Sequence, residues 1–198
     1  MYFVNYPNNM ILTTDRLVLR PWLETDAADL YNYAKDERIG SAAGWPPHQS
    51  VEESAEIIRT VFSLEGVFAV ALKEDDRAIG LIGLVRGANS NFPISEEEAE
   101  ISYWIGVPFW GKGYIPEAIR EVNRYGFEEM GLTTIWSGYF EENDKSKRAQ
   151  EKCGYRHHHI EKEKYFPFIN ETRTEHISRL TREEWEEISK VEPTTQAI

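Results

Sequence analysis

Trp104-Ile105-Gly106-Val107-Pro108-Phe109-Trp110-Gly111-Lys112-Gly113 is the stretch that decides the reading of this 198-residue chain. An apolar strand runs into a glycine-rich turn, and the apolar spacing of Ala118, Ile119, Val122, Tyr125, Gly126, Phe127 and Met130 then predicts a helix that Gly131 stops. Such a turn binds anions. The first N–H groups of a helix have no partners, the helix dipole favours negative charge, and glycines let a phosphate approach the backbone. Lys112 adds a positive charge. Three ligand classes use this geometry. A dinucleotide fingerprint needs glycine where Pro116 stands and a doubly wound strand–helix alternation upstream, which is missing. A P-loop fits from Gly106 to Lys112, until Gly113 takes the place of the magnesium-binding hydroxyl. The third class is a pyrophosphate on a long thioester arm, as in acyl-coenzyme A.

Upstream of the turn, Glu98 to Ile105 reads as a strand from its alternation and aromatics. Ile11 to Pro21 reads as a first strand, and Val67 to Leu72 and Ala78 to Val85 as a hairpin closed by the charged turn Lys73 to Arg77. Thr25 caps a short helix through Ala34, Ser41 to His48 is small and Pro-rich and reads as a loop, and Ser50-Val51-Glu52-Glu53 is a capping box. Downstream, Thr133 to Tyr139, Tyr155 to Glu163 and Arg173 to Leu180 read as strands. Asp144 to Lys152 reads as a helix ended by Gly154, and Thr181 to Glu184 caps a last helix. With no linker, repeat or low-complexity block, these elements make one α/β (α+β) domain over residues 1–190, a mixed, mostly antiparallel seven-stranded sheet flanked by helices. Residues 191–198 read as a frayed tail.

Thirty-four acidic against 22 basic residues leave a net charge of −12, which repels phosphate backbones and anionic headgroups and attracts cations. Nucleic acid and membrane surfaces are thereby excluded as partners, and an amine-bearing acceptor is favoured. Nine Phe, ten Tyr and six Trp supply a well-filled core. The lone cysteine, Cys153, has no disulfide partner. Met1 to Pro7 lacks the basic and apolar regions of a secretion signal, and no window reaches the roughly 20 apolar residues of a membrane span, so a cytoplasmic protein is expected.

The residues resemble the GNAT acyltransferase superfamily and, within it, the Rim-type N-terminal acetyltransferases of ribosomal proteins. The likeness runs from Thr14-Asp15-Arg16-Leu17-Val18-Leu19-Arg20 to Arg182-Glu183-Glu184-Trp185. It is densest in Glu100 to Ile105, in Trp110-Gly111-Lys112-Gly113-Tyr114 with Glu117-Ala118, and in Asn143, Ser146, Arg148 and Glu151-Lys152-Cys153-Gly154-Tyr155. The resemblance implies a splayed sheet whose fourth and fifth strands part to admit acetyl-coenzyme A (acetyl-CoA). It implies that the N–H groups of Gly111, Lys112, Gly113 and Tyr114 hold the pyrophosphate. Ile105 and Val107, at a bulged strand end, would pair with the pantetheine amides, and the Ile105 N–H would face the thioester carbonyl. Asn143 corresponds to the family's amide that orients the pantetheine arm and the following helix, and Ser146 to a serine proposed to meet the leaving sulfur. The chain departs from the pattern at Pro108, at Pro116, at the run His157-His158-His159, and at Gln150, where many relatives carry a tyrosine acid.

Transfer of an acyl group from a thioester to an amine needs a neutral amine, a donor for the carbonyl oxygen and a thiolate able to leave. A thiol pKa of about 8.5 makes an acid helpful rather than obligatory, whereas the amine must lose a proton. Glu100 is the candidate base, the other reading being the last member of a solvated acidic run after Glu96, Glu97 and Glu98. Ser146 is read either as proton donor or as an ordinary helix-start hydroxyl. Cys153 reads as buried and inert, and of the three histidines only His157 and His159 would share a strand face, with no metal site expected. Trp45 and the stretch Tyr165-Phe166-Pro167-Phe168 would wall the acceptor pocket. Lys112 and Arg148 would make a basic groove for the anionic cosubstrate. Together these readings describe an acetyl-CoA-dependent N-acetyltransferase acting on a primary amine, of a protein N-terminus or a small molecule, by direct attack in a ternary complex, as monomer or homodimer. The reading from another class is a GNAT-fold module that binds coenzyme A or an amine without turnover.

Overall fold

Thr14, Asp15 and Arg16 interrupt the apolar alternation near the start of the chain, and the backbone turns there: the Leu17 N–H donates to Thr14 Oγ1 and the Thr14 N–H to the Leu17 carbonyl, both at 3.0 Å. In this computed structural model, described from residue 10 to residue 191, the expected strand over 11–21 is therefore two strands, β1 (Leu12–Thr13) and β2 (Leu17–Arg20). The sheet has eight strands rather than seven for this reason. Beyond residue 191, the expected tail lies outside the described residues, as does the Met1 to Pro7 segment.

Asp36 accepts a hydrogen bond from the Arg38 N–H and opens a helix that the sequence reading missed. This helix, α2 (Glu37–Ala43), follows α1 (Ala27–Ala34). Ser41, Ala42 and Ala43 are its last turn, not loop, because small residues are tolerated in a helix and the break comes only at Gly44, φ 83°. The capping box forms as read: Ser50 Oγ accepts from the Glu53 N–H at 3.1 Å and starts α3 (Val51–Thr60). The hairpin is β3 (Val67–Leu72) and β4 (Ala78–Arg86), the latter buried on both faces from Ala78 to Leu84, as a central strand must be. Then come β5 (Glu98–Ile105), α4 (Tyr114–Arg124) prolonged by a π-helical turn (Tyr125–Glu129), β6 (Thr134–Phe140), α5 (Asp144–Lys152), β7 (Arg156–Phe166), β8 (Glu171–Thr181) and α6 (Arg182–Val191).

The sheet order is β1-β2-β3-β4-β5-β6-β8-β7, antiparallel at each junction except β5–β6. Side chains of paired residues share a face, so Glu100, Trp136, Gly138, Phe140 and Glu175 lie on one side of the sheet. Ile101, Tyr103 and Ile105 lie on the other, under α4 and α5. Leu84, Ile101, Ile119, Phe127 and Ile135 are almost fully buried there. At the near end, Arg20 on β2 makes a buried bidentate pair with Asp26 (2.7 and 2.9 Å) just before α1, pinning that helix to the sheet edge.

Candidate active site

The ladder between β5 and β6 has three pairs, Glu98↔Thr134, Ala99↔Ile135 and Glu100↔Trp136, and then the strands part. On its other side β5 stays paired with β4 to Ile105↔Gly80. The Gly106 N–H donates to the Ile79 carbonyl at 2.8 Å, which makes Ile105↔Gly80 a pair without mutual hydrogen bonds. Consequently the N–H and C=O of Ile105 turn away from β4 toward the splay. By the period of two, so do those of Tyr103. The Ile101 carbonyl, of the same set, is taken by Ser137 Oγ (3.2 Å) and the Ile105 carbonyl by Trp110 Nε1 (2.8 Å). The N–H groups of Tyr103 and Ile105 thus face the gap, the edge an extended amide-bearing ligand adds to. The strand end is not bulged, contrary to what the resemblance implied. Gly106 and the 3-10 turn Val107–Phe109 stop it, since Pro108 has no N–H to continue a ladder, and Val107 sits in that turn.

The turn after it enters α4 through two left-handed glycines, Gly111 (φ 74°) and Gly113 (φ 81°). A Cβ would meet nothing within 4 Å at Gly111 and only Arg16 Nη2, at 3.6 Å, at Gly113. Backbone conformation, not space, is therefore what demands glycine here. The first-turn N–H groups from Gly113 to Ile115 have no intrahelical acceptor, and Pro116 occupies a position that would make no such bond. Two cations join Lys112 around this turn that the sequence reading did not single out. Arg16 Nη1 donates to the Lys112 carbonyl (3.0 Å) and its guanidinium pairs with Glu117 (2.6 Å), while Lys145 Nζ lies 3.9 Å above the Trp110 ring. Arg148 is exposed on α5.

Asn143 Oδ1 accepts from the Ser146 N–H at 3.1 Å and so caps α5, as expected of a helix-orienting amide. Inside that first turn the structure assembles a polar cluster invisible in the sequence. Tyr103 Oη, from β5, lies 2.8 Å from Ser146 Oγ, and Gln150 Nε2 lies 3.4 Å from the same oxygen. Gln150 is almost fully buried, its amide set by its partners: Ser178 Oγ donates to Oε1, and Nε2 donates to Ser137 Oγ (2.9 Å) and the Gly138 carbonyl (3.3 Å). Burial pushes the Tyr103 phenol up to about 12, so it keeps its proton and can donate. Either hydroxyl can donate in the Tyr103–Ser146 contact, and Tyr103 Oη also lies 3.3 Å from the Ser146 carbonyl; when Tyr103 donates to Ser146 Oγ, the serine hydrogen is free to point elsewhere. The position many relatives give to tyrosine thus holds Gln150, and a tyrosine hydroxyl arrives from β5 instead.

Glu100 sits at the last paired position before the splay, on the face opposite α5, and is only 6% exposed. Its carboxylate accepts from Ser90 Oγ (2.9 Å), the Asn91 N–H (2.6 Å) and Asn91 Nδ2 (3.1 and 3.2 Å). It is no member of a solvated acidic run. On this same face Trp45 packs on Trp104 (5.9 Å) and Phe166 on Phe140 (4.8 Å), whereas Phe168 is 80% exposed. Cys153 is buried, its thiol donating to the Pro116 carbonyl at 3.4 Å. The histidine run does not alternate as expected, because the β7–β8 register shifts between His157 and His159. His158 and His159 are brought side by side (2.8 Å), and His157 instead lines, with His176, a cleft of about 460 Å³ between α5 and strands β6 to β8. Among the described residues no group of three or more His, Cys, Asp or Glu could hold a metal ion, and no helix is long and apolar enough to cross a membrane.

The chain matches the acetyltransferase (GNAT) domain family over residues 16–156. It is similar to the uncharacterized N-acetyltransferases YoaA of Bacillus subtilis, 29% identical over 73% of this chain and 82% of the relative, and p20 of Bacillus licheniformis, 32% identical over 68% and 76%. The crystal structure of a GNAT-family acetyltransferase from Bacillus anthracis superposes with a TM-score of 0.76 at 24% identity, covering 88% of this chain and 99% of that one. A strand edge opened toward a glycine-rich helix entrance, carried on a chain matched over most of its length, has one reading: the protein belongs to the GNAT acetyltransferase family.

Proposed function

We propose that the protein transfers the acetyl group of acetyl-CoA to a primary amine, that of a protein N-terminus or of a small molecule, by direct attack in a ternary complex. The observation that carries this is the parting of β5 and β6 after Glu100, which leaves the N–H groups of Tyr103 and Ile105 facing a gap that leads to the α4 entrance. Acetyl-CoA supplies the acetyl thioester. In this reading the N–H groups of Gly111, Lys112, Gly113 and Tyr114 bind the pyrophosphate, with Lys112 and Arg148 offsetting its charge. Val107 and the second lone pair of the Ile105 carbonyl bind the pantetheine amides, and Asn143 holds both the arm and the start of α5. The Ile105 N–H is the donor for the thioester carbonyl oxygen.

Two side chains handle protons. Ser146 Oγ, positioned by its contacts with Tyr103 and Gln150, donates to the leaving sulfur. Glu100, held by Ser90 and Asn91 on the acceptor face, takes the amine proton directly or through water. An α-amine, with pKa near 8, asks less of that base than a lysine amine near 10.4. The test is thiol release from acetyl-CoA over a panel of peptides and small amines, with Glu100→Gln beside the parent. Turnover with at least one amine and a rate loss in Glu100→Gln that depends on pH are expected. If coenzyme A binds but no amine releases thiol, a binding module without turnover replaces the enzyme reading. A Glu100→Gln protein with the parent's rate across pH removes Glu100 from the base role.

A further inference from the structure

On the acceptor face an ammonium group is already held between two carboxylates. Lys164 Nζ lies 2.7 Å from Glu161 Oε2 and 2.8 Å from Glu175 Oε2, and 5.3 and 5.7 Å from the ring centroids of Phe92 and Phe166. Two carboxylates and two aromatic rings are the chemistry that recognises an alkylammonium ion. The enclosure is built by an irregularity in the backbone. Residues 161 and 164 are three apart and would point to opposite faces of a regular strand, but the β7–β8 register shifts between them and Glu163 is left-handed (φ 54°). That conformation is strained for a residue with a side chain, and its result is to turn Lys164 onto the face of Glu161 and Glu175.

Glu175 also reaches toward the gap. It lies over Gly138 of β6, where a Cβ would stand 2.3 Å from its carboxylate oxygen, so a larger residue at 138 would make the Glu175 side chain move from its present place beyond the point where β5 and β6 part. Burial raises the Glu175 carboxyl above its usual range despite Lys164, with the like charges of Glu100 and Glu161 adding to it. A cation at this place relieves that cost.

We propose that Glu161, Glu175, Phe92 and Phe166 form an ammonium-binding subsite of the acceptor pocket, which Lys164 fills in the free protein and which a second amino group of a diamine-type acceptor takes over on binding. The proposal rests on the amine-acetyltransferase reading only for the word acceptor, because its test is equilibrium binding rather than turnover. Calorimetric titration with 1,5-diaminopentane and with pentylamine is made on the parent, on Lys164→Met and on Lys164→Gln, whose amide still donates to the carboxylates and keeps the fold testable if the first variant melts. Removing the resident ammonium is expected to tighten diamine binding about tenfold with no comparable gain for the monoamine, and Glu175→Gln placed in the same background is expected to abolish the gain. Equal diamine affinity in parent and folded Lys164 variants overturns the subsite. The same gain for monoamine and diamine overturns it too, since that is general attraction by an uncovered acidic patch. Tighter diamine binding without thiol release from any amine keeps the subsite and discards the enzymatic reading.

Discussion

Tyr103→Phe removes one oxygen and nothing else, and the hydrogen-bond accounting around Ser146 assigns that oxygen a kinetic effect. In the parent, Tyr103 Oη at 2.8 Å and Gln150 Nε2 at 3.4 Å contact Ser146 Oγ. When Tyr103 donates the shorter bond, the serine hydrogen is free to turn outward. A neutral hydrogen bond contributes about 1 kcal/mol net, so losing it is expected to lower kcat about five- to tenfold. KM for acetyl-CoA should stay within about twofold, because in the proposed binding mode backbone groups make the contacts. Ser146→Ala sets the ceiling, since a positioned proton donor contributes about 10²- to 10⁴-fold. The double variant is expected to be no slower than Ser146→Ala alone, because Tyr103 acts only through that hydroxyl. Steady-state thiol release at several pH values, with thermal melts to exclude misfolding, measures all four proteins. A Tyr103→Phe enzyme with the parent's kcat refutes the reasoning, and so does a double variant whose losses multiply.

Asp26→Asn removes the buried one of the two carboxylates that pair with Arg20 and leaves the exposed Asp76, 2.8 Å from Arg20 Nε, so the cost is that of weakened charged hydrogen bonds, about 1.5–3 kcal/mol, rather than of an unpaired buried charge. For a chain of this length the melting temperature should fall roughly 3–12 °C by calorimetry, and no measurable shift would mean that Asp76 alone compensates Arg20. Glu117 is held below its usual pKa: burial alone would raise it, but hydrogen bonds from Thr14 and Arg16 outweigh burial. Its stabilisation is therefore present above the unfolded-state value and is lost as pH falls through the folded one. Urea midpoints from about pH 6 down to about pH 3 should show Glu117→Gln well below the parent at the upper end and converging on it at the lower, whereas a gap that stays constant with pH would contradict the assignment.

Much of the site was legible because it is local. Gly111 and Gly113 announce a left-handed entrance to α4, Ser50 and Asn143 cap the helices that follow them, and Thr181 Oγ1 accepts from the Glu184 N–H at 3.3 Å to open α6. These features depend on residues within four positions of each other, whose φ values and hydrogen bonds are dictated by the chain itself. The family resemblance rests on the same kind of information. Where local signals are weak, tertiary structure overrides them. Thr14 to Arg16 turns inside an alternating stretch and splits a strand, and Ser41 to Ala43 finishes a helix that its composition disguises.

The sequence by itself thus determined the fold family, the glycine-rich entrance to α4 and the cap that starts α5, since each follows from neighbours in the chain. The tertiary structure alone decided which groups meet. Tyr103 and Ser146 are 43 positions apart, Glu100 and the Asn91 side chain meet across a loop and a strand, and Lys164 reaches Glu175 only through a register shift of β7 on β8. Strand register and helix docking are properties of the packed core, settled by burying Ile101, Ile119 and Ile135 together, and no spacing along the chain encodes them.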